Sequence, residues 1–143
     1  MCTTFSFNKN GETLLGRTMD LRVHHRYEFK YFPENFNYEE DVFGNKLYTK
    51  YKIMGATFRN YDHLVDGINE KGLACGLTFV YPTVKNYGFN AGFLIRYILE
   101  KCQTTQQAVD FLNKVPIGSS QNIIIIDRFR NLAVAELNSS HKT

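Results

Sequence analysis

The chain has 143 residues, 43% apolar and 22% charged, which suits one domain with one core and excludes a disordered chain. Its net charge of +3, with no long run of Lys or Arg, gives no electrostatic footprint for nucleic acid. No segment approaches the ~18 apolar residues of a membrane span. Residues 1–20 carry Asn8, Lys9, Asn10, Glu12, Arg17 and Asp20 where a signal peptide needs an apolar stretch, so a cytoplasmic location is expected.

Twelve Phe and nine Tyr, without Trp, fit a sheet-heavy core or an apolar ligand pocket. The three cysteines, Cys2, Cys75 and Cys102, are odd in number and widely spaced, so they form neither a disulfide framework nor a zinc pair. They are expected to be thiols.

In chain order, Thr3, Phe5 and Phe7 alternate with Thr4, Ser6 and Asn8, a strand period. Asn10-Gly11 signals a tight turn, and Thr13 to Met19 is the return strand. Tyr27 to Phe32 is a third strand, stopped by Pro33. Glu34 to Asn45 is polar and reads as a loop. Leu47 to Phe58 holds one or two strands. Asp66-Gly67 and Glu70-Lys71-Gly72 read as tight connections, and Gly72 to Val80 as a buried strand. The period then changes. Ala91, Leu94, Ile95, Ile98, Leu99 and Cys102 share one helical face. Thr104 with Gln107 forms a capping box for a second helix, whose stripe is Ala108, Phe111, Leu112 and Val115. Pro116 and Gly118 end it. Asn122 to Asp127 contains consecutive isoleucines, as a strand buried on both faces does. Leu132 to Leu137 returns as the last strand.

Strands, two helices, then strands predict an α+β fold with helices packed on an antiparallel sheet. Residues 1–143 read as one domain. The last hairpin closes shortly before Thr143 while its isoleucines need partners, so the chain is expected to be the N-terminal portion of a longer one.

Cys2 is the first candidate for chemistry. Loss of Met1 would leave a residue with both a thiol and a free α-amine, whose reference pKa values of about 8.5 and 7.7–8.0 lie near neutrality. One residue can then supply nucleophile and general base. The Asn10-Gly11 turn returns Gly16 to Asp20 beside the first residues of the first strand. Arg17 is placed to favour the thiolate, and Asp20 to hold the α-amine. Three positions apart, they face opposite ways on an ideal strand, so both reach Cys2 only if the strand ends or bends near Met19. Against this stands the plainer reading of a surface Arg and Asp, worth little. Cys75 and Cys102 sit in apolar patterns and read as core. The adjacent His24 and His25 cannot share one face as a metal pair, and no metal site is expected. His63 is the one candidate partner for a papain-like Cys–His pair.

These residues resemble a known family. Met1-Cys2-Thr3-Thr4, then Gly16-Arg17-Thr18-Met19-Asp20-Leu21, is similar to the choloylglycine hydrolases, which include conjugated bile salt hydrolases and penicillin V acylases. Asp66-Gly67-Ile68-Asn69-Glu70-Lys71-Gly72-Leu73 resembles the family's D-G-x-N-E-K-G-L segment. A weaker likeness runs over the helix pair from Phe93 to Val115, then from Asn122 to Glu136, with Asp127 and Glu136 placed as in the family. The resemblance implies an N-terminal-nucleophile (Ntn) hydrolase fold: a four-layer αββα sandwich of antiparallel sheets flanked by helices, incomplete in this chain. It implies hydrolysis of a linear, non-peptide amide through a thioester on Cys2, with Arg17 and Asp20 in the roles given above. It implies no cofactor, a small acyl amide as the binding partner, and a homo-oligomer, with tetramers usual. Met19, Phe58 and Val65 are its pocket candidates, though core packing explains them equally well. Where the family carries an Asn or Tyr that shapes the oxyanion hole, this chain has Thr78, which reaches less far. A second oxyanion Asn and a further Arg have no counterpart here, since family chains are about twice as long. The alternative is therefore a catalytically incomplete fragment, or a binding half that pairs with a second chain through an unpaired Ile123–Ile126 edge.

Overall fold

The computed structural model describes residues 2–20, 26–40, 43–81 and 87–143. β1 (Cys2–Lys9) and β2 (Glu12–Met19) form an antiparallel hairpin. Its turn is Asn10-Gly11, both with positive φ (53° and 88°), the left-handed pair that a two-residue hairpin turn demands. β3 (Tyr27–Phe32), β6 (Ile53–Phe58), β7 (Asp66–Asn69), β8 (Ala74–Phe79), β9 (Gln121–Ile126) and β10 (Leu132–Leu137) form a six-stranded antiparallel sheet in the order β10-β9-β8-β7-β6-β3. β4 (Asn37–Glu40) and β5 (Lys46–Tyr48) pair as a small ribbon.

α1 (Ala91–Lys101) and α2 (Thr105–Lys114) join β8 to β9. All six residues of the apolar face expected for α1 are buried. Thr104 is the N-cap of α2, its hydroxyl accepting from the Gln107 N–H, while the Gln107 side chain reaches back to the N–H of Gln103. Ile123 and Ile125 join the helices' core together with Cys75 and Leu77. Ile124 and Ile126 are buried on the opposite face of the sheet. The hairpin lies on that opposite face, in contact with β8 and β9. The described residues thus stack helices, a large sheet and a small second sheet.

Three expectations need correction. Glu34 to Asn45 is not all loop, because it contains β4. Buried Thr49 organises this stretch: its hydroxyl donates to the Pro33 carbonyl and accepts from the Phe36 N–H. A short strand of polar residues shows no apolar period, so its pattern is that of a loop. Asp66-Gly67 is not a tight connection but the start of β7, an interior strand. Gly55 and Gly67 let β6 and β7 approach: a Cβ at Gly55 would stand 2.2 Å from the Asp66 carbonyl oxygen, and one at Gly67 2.6 Å from that of Met54. Finally, Ile123–Ile126 is no free edge, since β9 is hydrogen-bonded to β8 on one side and β10 on the other.

Candidate active site

Cys2 opens β1, directly opposite Met19, the last residue of β2. It is half-buried, on the same face of the hairpin as Thr4 and Ser6. Phe5 and Phe7, on the other face, are 52% and 55% exposed, so it is the more polar face of the hairpin that is laid on the sheet.

Strand register locates the thiol. Phe29, Ala56, Asp66, Gly76 and Ile124 form one row across β3, β6, β7, β8 and β9. Arg17 lies over it: a Cβ at Gly76 would stand 3.3 Å from the Arg17 Cδ and 3.6 Å from Leu15. The absent side chain of Gly76 leaves the space through which Arg17 passes. Two residues further along the strands, the next row on this face comprises Tyr27, Phe58, Thr78 and Asn122. The hairpin turn at Gly11 sits near Arg130, at the β9–β10 turn. Passing from Leu15 through Arg17 to Met19 therefore leads away from that turn and toward the second row. Cys2, paired with Met19, follows it.

The Arg17 side chain is only 5% exposed, and it is closely held. Its Nε donates to the Leu77 carbonyl at 2.7 Å, Nη1 to the Asp66 carboxylate at 2.6 Å, and Nη2 to the Met19 sulfur at 3.2 Å. Asp66, which sequence reasoning placed in a turn, is thus the counter-ion of Arg17. Its one sequence signal was its place at the head of the D-G-I-N-E-K-G-L segment. Asp20 is the first residue beyond β2 and is exposed, and the Thr18 hydroxyl donates to its carboxylate at 3.3 Å. β2 ends at Met19.

Met19 is partly buried against the core. Phe58 is partly buried too, with its ring 5.1 Å from that of Tyr27 and 6.1 Å from that of His63. Val65 is 1% exposed, inside the core, with its backbone bonded to Ala56 and Leu77. Thr78 is half-buried, cross-strand from Asn122. Tyr27 was not anticipated as a site residue, since nothing in its strand pattern marks it. Burial raises the pKa of its phenol; Arg17 opposes that rise, and Cys2 and Asp66 reinforce it.

The other two thiols are core groups. Burial holds Cys75 well above the ordinary thiol range and pushes Cys102 up to about 11. His63 packs against Gly92 of α1 and the rings of Phe58, Tyr61 and Phe93, and burial lowers its pKa. It makes no hydrogen bond to Cys2 among the described residues, which leaves the papain-like pairing without geometric support. His24 and His25 lie outside the described residues. A cavity of about 550 Å³ runs from Gly11 and Thr13 along Ile68 and Ala74 to Arg17 and Asp66. It meets the site at that ion pair, on the side of Arg17 away from Cys2.

Two helices on an antiparallel sheet, with a second β layer on its far face, define the Ntn-hydrolase architecture, here without its fourth layer among the described residues. The chain belongs to the acyl-coenzyme A:6-aminopenicillanic acid acyl-transferase family, whose model matches residues 6–143. It is 39% identical over 139 residues to a bile salt hydrolase/transferase of Clostridium perfringens, an alignment covering 86% of this chain and 42% of that protein. In structure it is similar to a mutant of the conjugated bile acid hydrolase of Clostridium perfringens (TM-score 0.82, 21% identity, all of this chain and 50% of the other). It is also similar to penicillin V acylase from Agrobacterium tumefaciens (TM-score 0.75, 21% identity, 99% of this chain and 48% of the other). The chain therefore spans half or less of the length of these relatives. Among the described residues, no helix is long and apolar enough to cross a membrane.

Proposed function

We propose that this chain carries the nucleophile of a cysteine Ntn amidase that cleaves a linear, non-peptide amide. The observation that supports it most is Cys2 at the head of β1, opposite Met19, with buried Arg17 two residues from Met19 on the same face of the hairpin. After removal of Met1, the α-amine takes the thiol proton. The thiolate adds to the amide carbonyl, and the tetrahedral oxyanion collapses. The C–N bond breaks, and the amine leaves with the proton. Water then hydrolyses the thioester to the acid and restores the thiol. Asp20 holds the α-amine, and Arg17 supplies positive charge below the thiol. Met19 and Phe58 form the wall for an apolar acyl group, with Thr78 at the carbonyl end and Val65 behind the wall. The names of the relatives favour amides such as conjugated bile salts or penicillin V as substrates.

The test is an intact-mass measurement before and after brief thiol alkylation, followed by an acyl-amide panel with wild type and Cys2→Ala. Loss of Met1, one fast label on Cys2, and amide cleavage abolished in Cys2→Ala are expected. Retention of Met1 in untagged protein removes the amine from the mechanism and defeats the proposal. A second reading, a half that is inactive alone and pairs with a second polypeptide, is favoured by exposed Phe5, Phe7 and Leu14 on the open face of the hairpin. It predicts labelling of Cys2 without amide turnover.

A further inference from the structure

The helix layer carries an open furrow of its own. It lies between α1 and α2 and encloses about 420 Å³, within the range of small-molecule sites. Three lysines line it: Lys50 from the segment between β5 and β6, Lys101 from the last turn of α1, and Lys114 from the last turn of α2. Among the described residues, none of the three forms an ion pair. The Lys101 ammonium donates to the Tyr48 carbonyl, and that of Lys50 lies 5.2 Å from the centre of the Tyr51 ring, contacts that leave both charges unneutralised. Asp110 is the one carboxylate in the lining, and one of its oxygens accepts from the Gln106 carboxamide at 2.9 Å. Three ammonium groups around one carboxylate leave an excess of two positive charges in a small volume. Like charges gathered in this way repel one another and attract an anion.

The furrow also has an aromatic wall. The rings of Tyr97 and Phe111 stack across the helix pair, with centroids 4.2 Å apart and planes inclined by 12°. A ring has two faces; Phe111 takes one face of Tyr97, and Tyr97 is still 37% exposed. A further aromatic group can meet such a ring stacked or edge-on. The charge excess selects the anion. A phosphomonoester carries about −1.5 to −2 at pH 7 and balances two positive charges, whereas a carboxylate balances one.

We propose that the furrow between α1 and α2 binds a small aromatic phosphomonoester, its phosphate among Lys50, Lys101 and Lys114 and its ring against Tyr97. The furrow and Cys2 lie on opposite faces of the large sheet, so this site does not compete with attack by the thiol and stands apart from the amidase reading.

The sequence contains no Trp, so Tyr97→Trp puts a single indole into the wall of the furrow. Phenyl phosphate, titrated into this variant at low salt, should change its emission saturably, with a dissociation constant of about 1 mM or below. Adding Lys50→Gln and Lys114→Gln should weaken binding by about fivefold or more, since two exposed charge contacts are lost. Benzyl alcohol supplies the ring without the charge, and inorganic phosphate the charge without the ring; each should bind at least about fivefold more weakly than phenyl phosphate. Absence of a saturable change, an unchanged constant in the double lysine variant, or equal binding of either control overturns the proposal. If Tyr97→Trp does not fold, saturation-transfer NMR of phenyl phosphate on the chain with its native Tyr97 makes the same comparison. Transfer lost in the double lysine variant supports the site, and transfer kept at the wild-type level overturns it.

Discussion

Arg17, which bonds the sulfur of Met19 opposite Cys2, is half of an ion pair, because the Asp66 carboxylate lies 2.6 Å from its Nη1. A cation already neutralised favours a thiolate less than a free one does. Asp66→Asn keeps the shape and removes the opposing charge, so Cys2 should alkylate faster at neutral pH while the fold weakens. Arg17 is nearly fully buried, whereas the Asp66 side chain is 26% exposed, which limits the expected cost to about 1–3 kcal/mol. Urea unfolding reads the cost, and a slower or unchanged alkylation rate contradicts the charge argument. His63 gives a second test. Burial depresses its pKa from 6.5, so the folded state holds it neutral while the unfolded chain takes up a proton. Its contribution is then fully present above about pH 6.5 and lost as pH falls. The melting temperature should drop between pH 7 and 5, and His63→Phe, which keeps a ring against Gly92, should drop less.

The elements with a strong period were legible in the sequence: both helices with the Thr104 cap, the Asn10-Gly11 hairpin, and the twice-buried Ile123–Ile126 strand. β7 was not, because its strand character lies in its neighbours. Asp66, Gly67 and Asn69 carry turn signals, and Ile68 is its one apolar residue, facing outward. What makes it a strand is the close approach of Gly55 to Gly67 and the anchoring of Asn69. The Asn69 carboxamide donates to the carbonyls of Leu99 and Cys102 at 2.9 and 2.8 Å and accepts from the N–H groups of Lys71 and Leu73. It therefore ties the C-terminal end of α1, where carbonyls lack helical partners, to the turn after β7. Of the candidate site, Cys2, Arg17 and Asp20 are singled out by type and spacing, but Asp66 as the counter-ion of Arg17 depends on register between distant strands. Asn69→Ala should cost about 3 kcal/mol, since it strands buried donors and acceptors at once. Asn69→Asp should cost at least as much, because a carboxylate faces two carbonyl oxygens. A midpoint in urea within error of wild type for either variant contradicts this role.

At the scale of the molecule, the two faces of the large sheet have different chemistry. The helix face is closed by Leu94, Ile95, Ile98 and Leu99 and holds Cys75 and Cys102 out of water, both with raised pKa values. The hairpin face holds the Arg17–Asp66 pair and the half-buried Cys2. One chain thus keeps two thiols protonated and inert and leaves the third accessible, a division set by the layer each strand end enters. The sign of the resulting pH dependence follows from linkage. A thiol raised from 9.0 to about 11 in the folded state, as Cys102 is, keeps its proton where the unfolded chain loses it. Its stabilisation is complete below pH 9 and declines as pH rises toward 11; Cys75 acts in the same direction over a higher range. Between pH 9 and 10, below the 10.5 at which an ordinary lysine titrates, stability to urea should therefore fall. In Cys102→Ala the fall over this interval should be shallower, since one raised thiol fewer then contributes, whatever the variant costs at pH 7. Equal slopes for wild type and Cys102→Ala would mean that Cys102 meets water in the folded state and that the layer at the end of α1 is open.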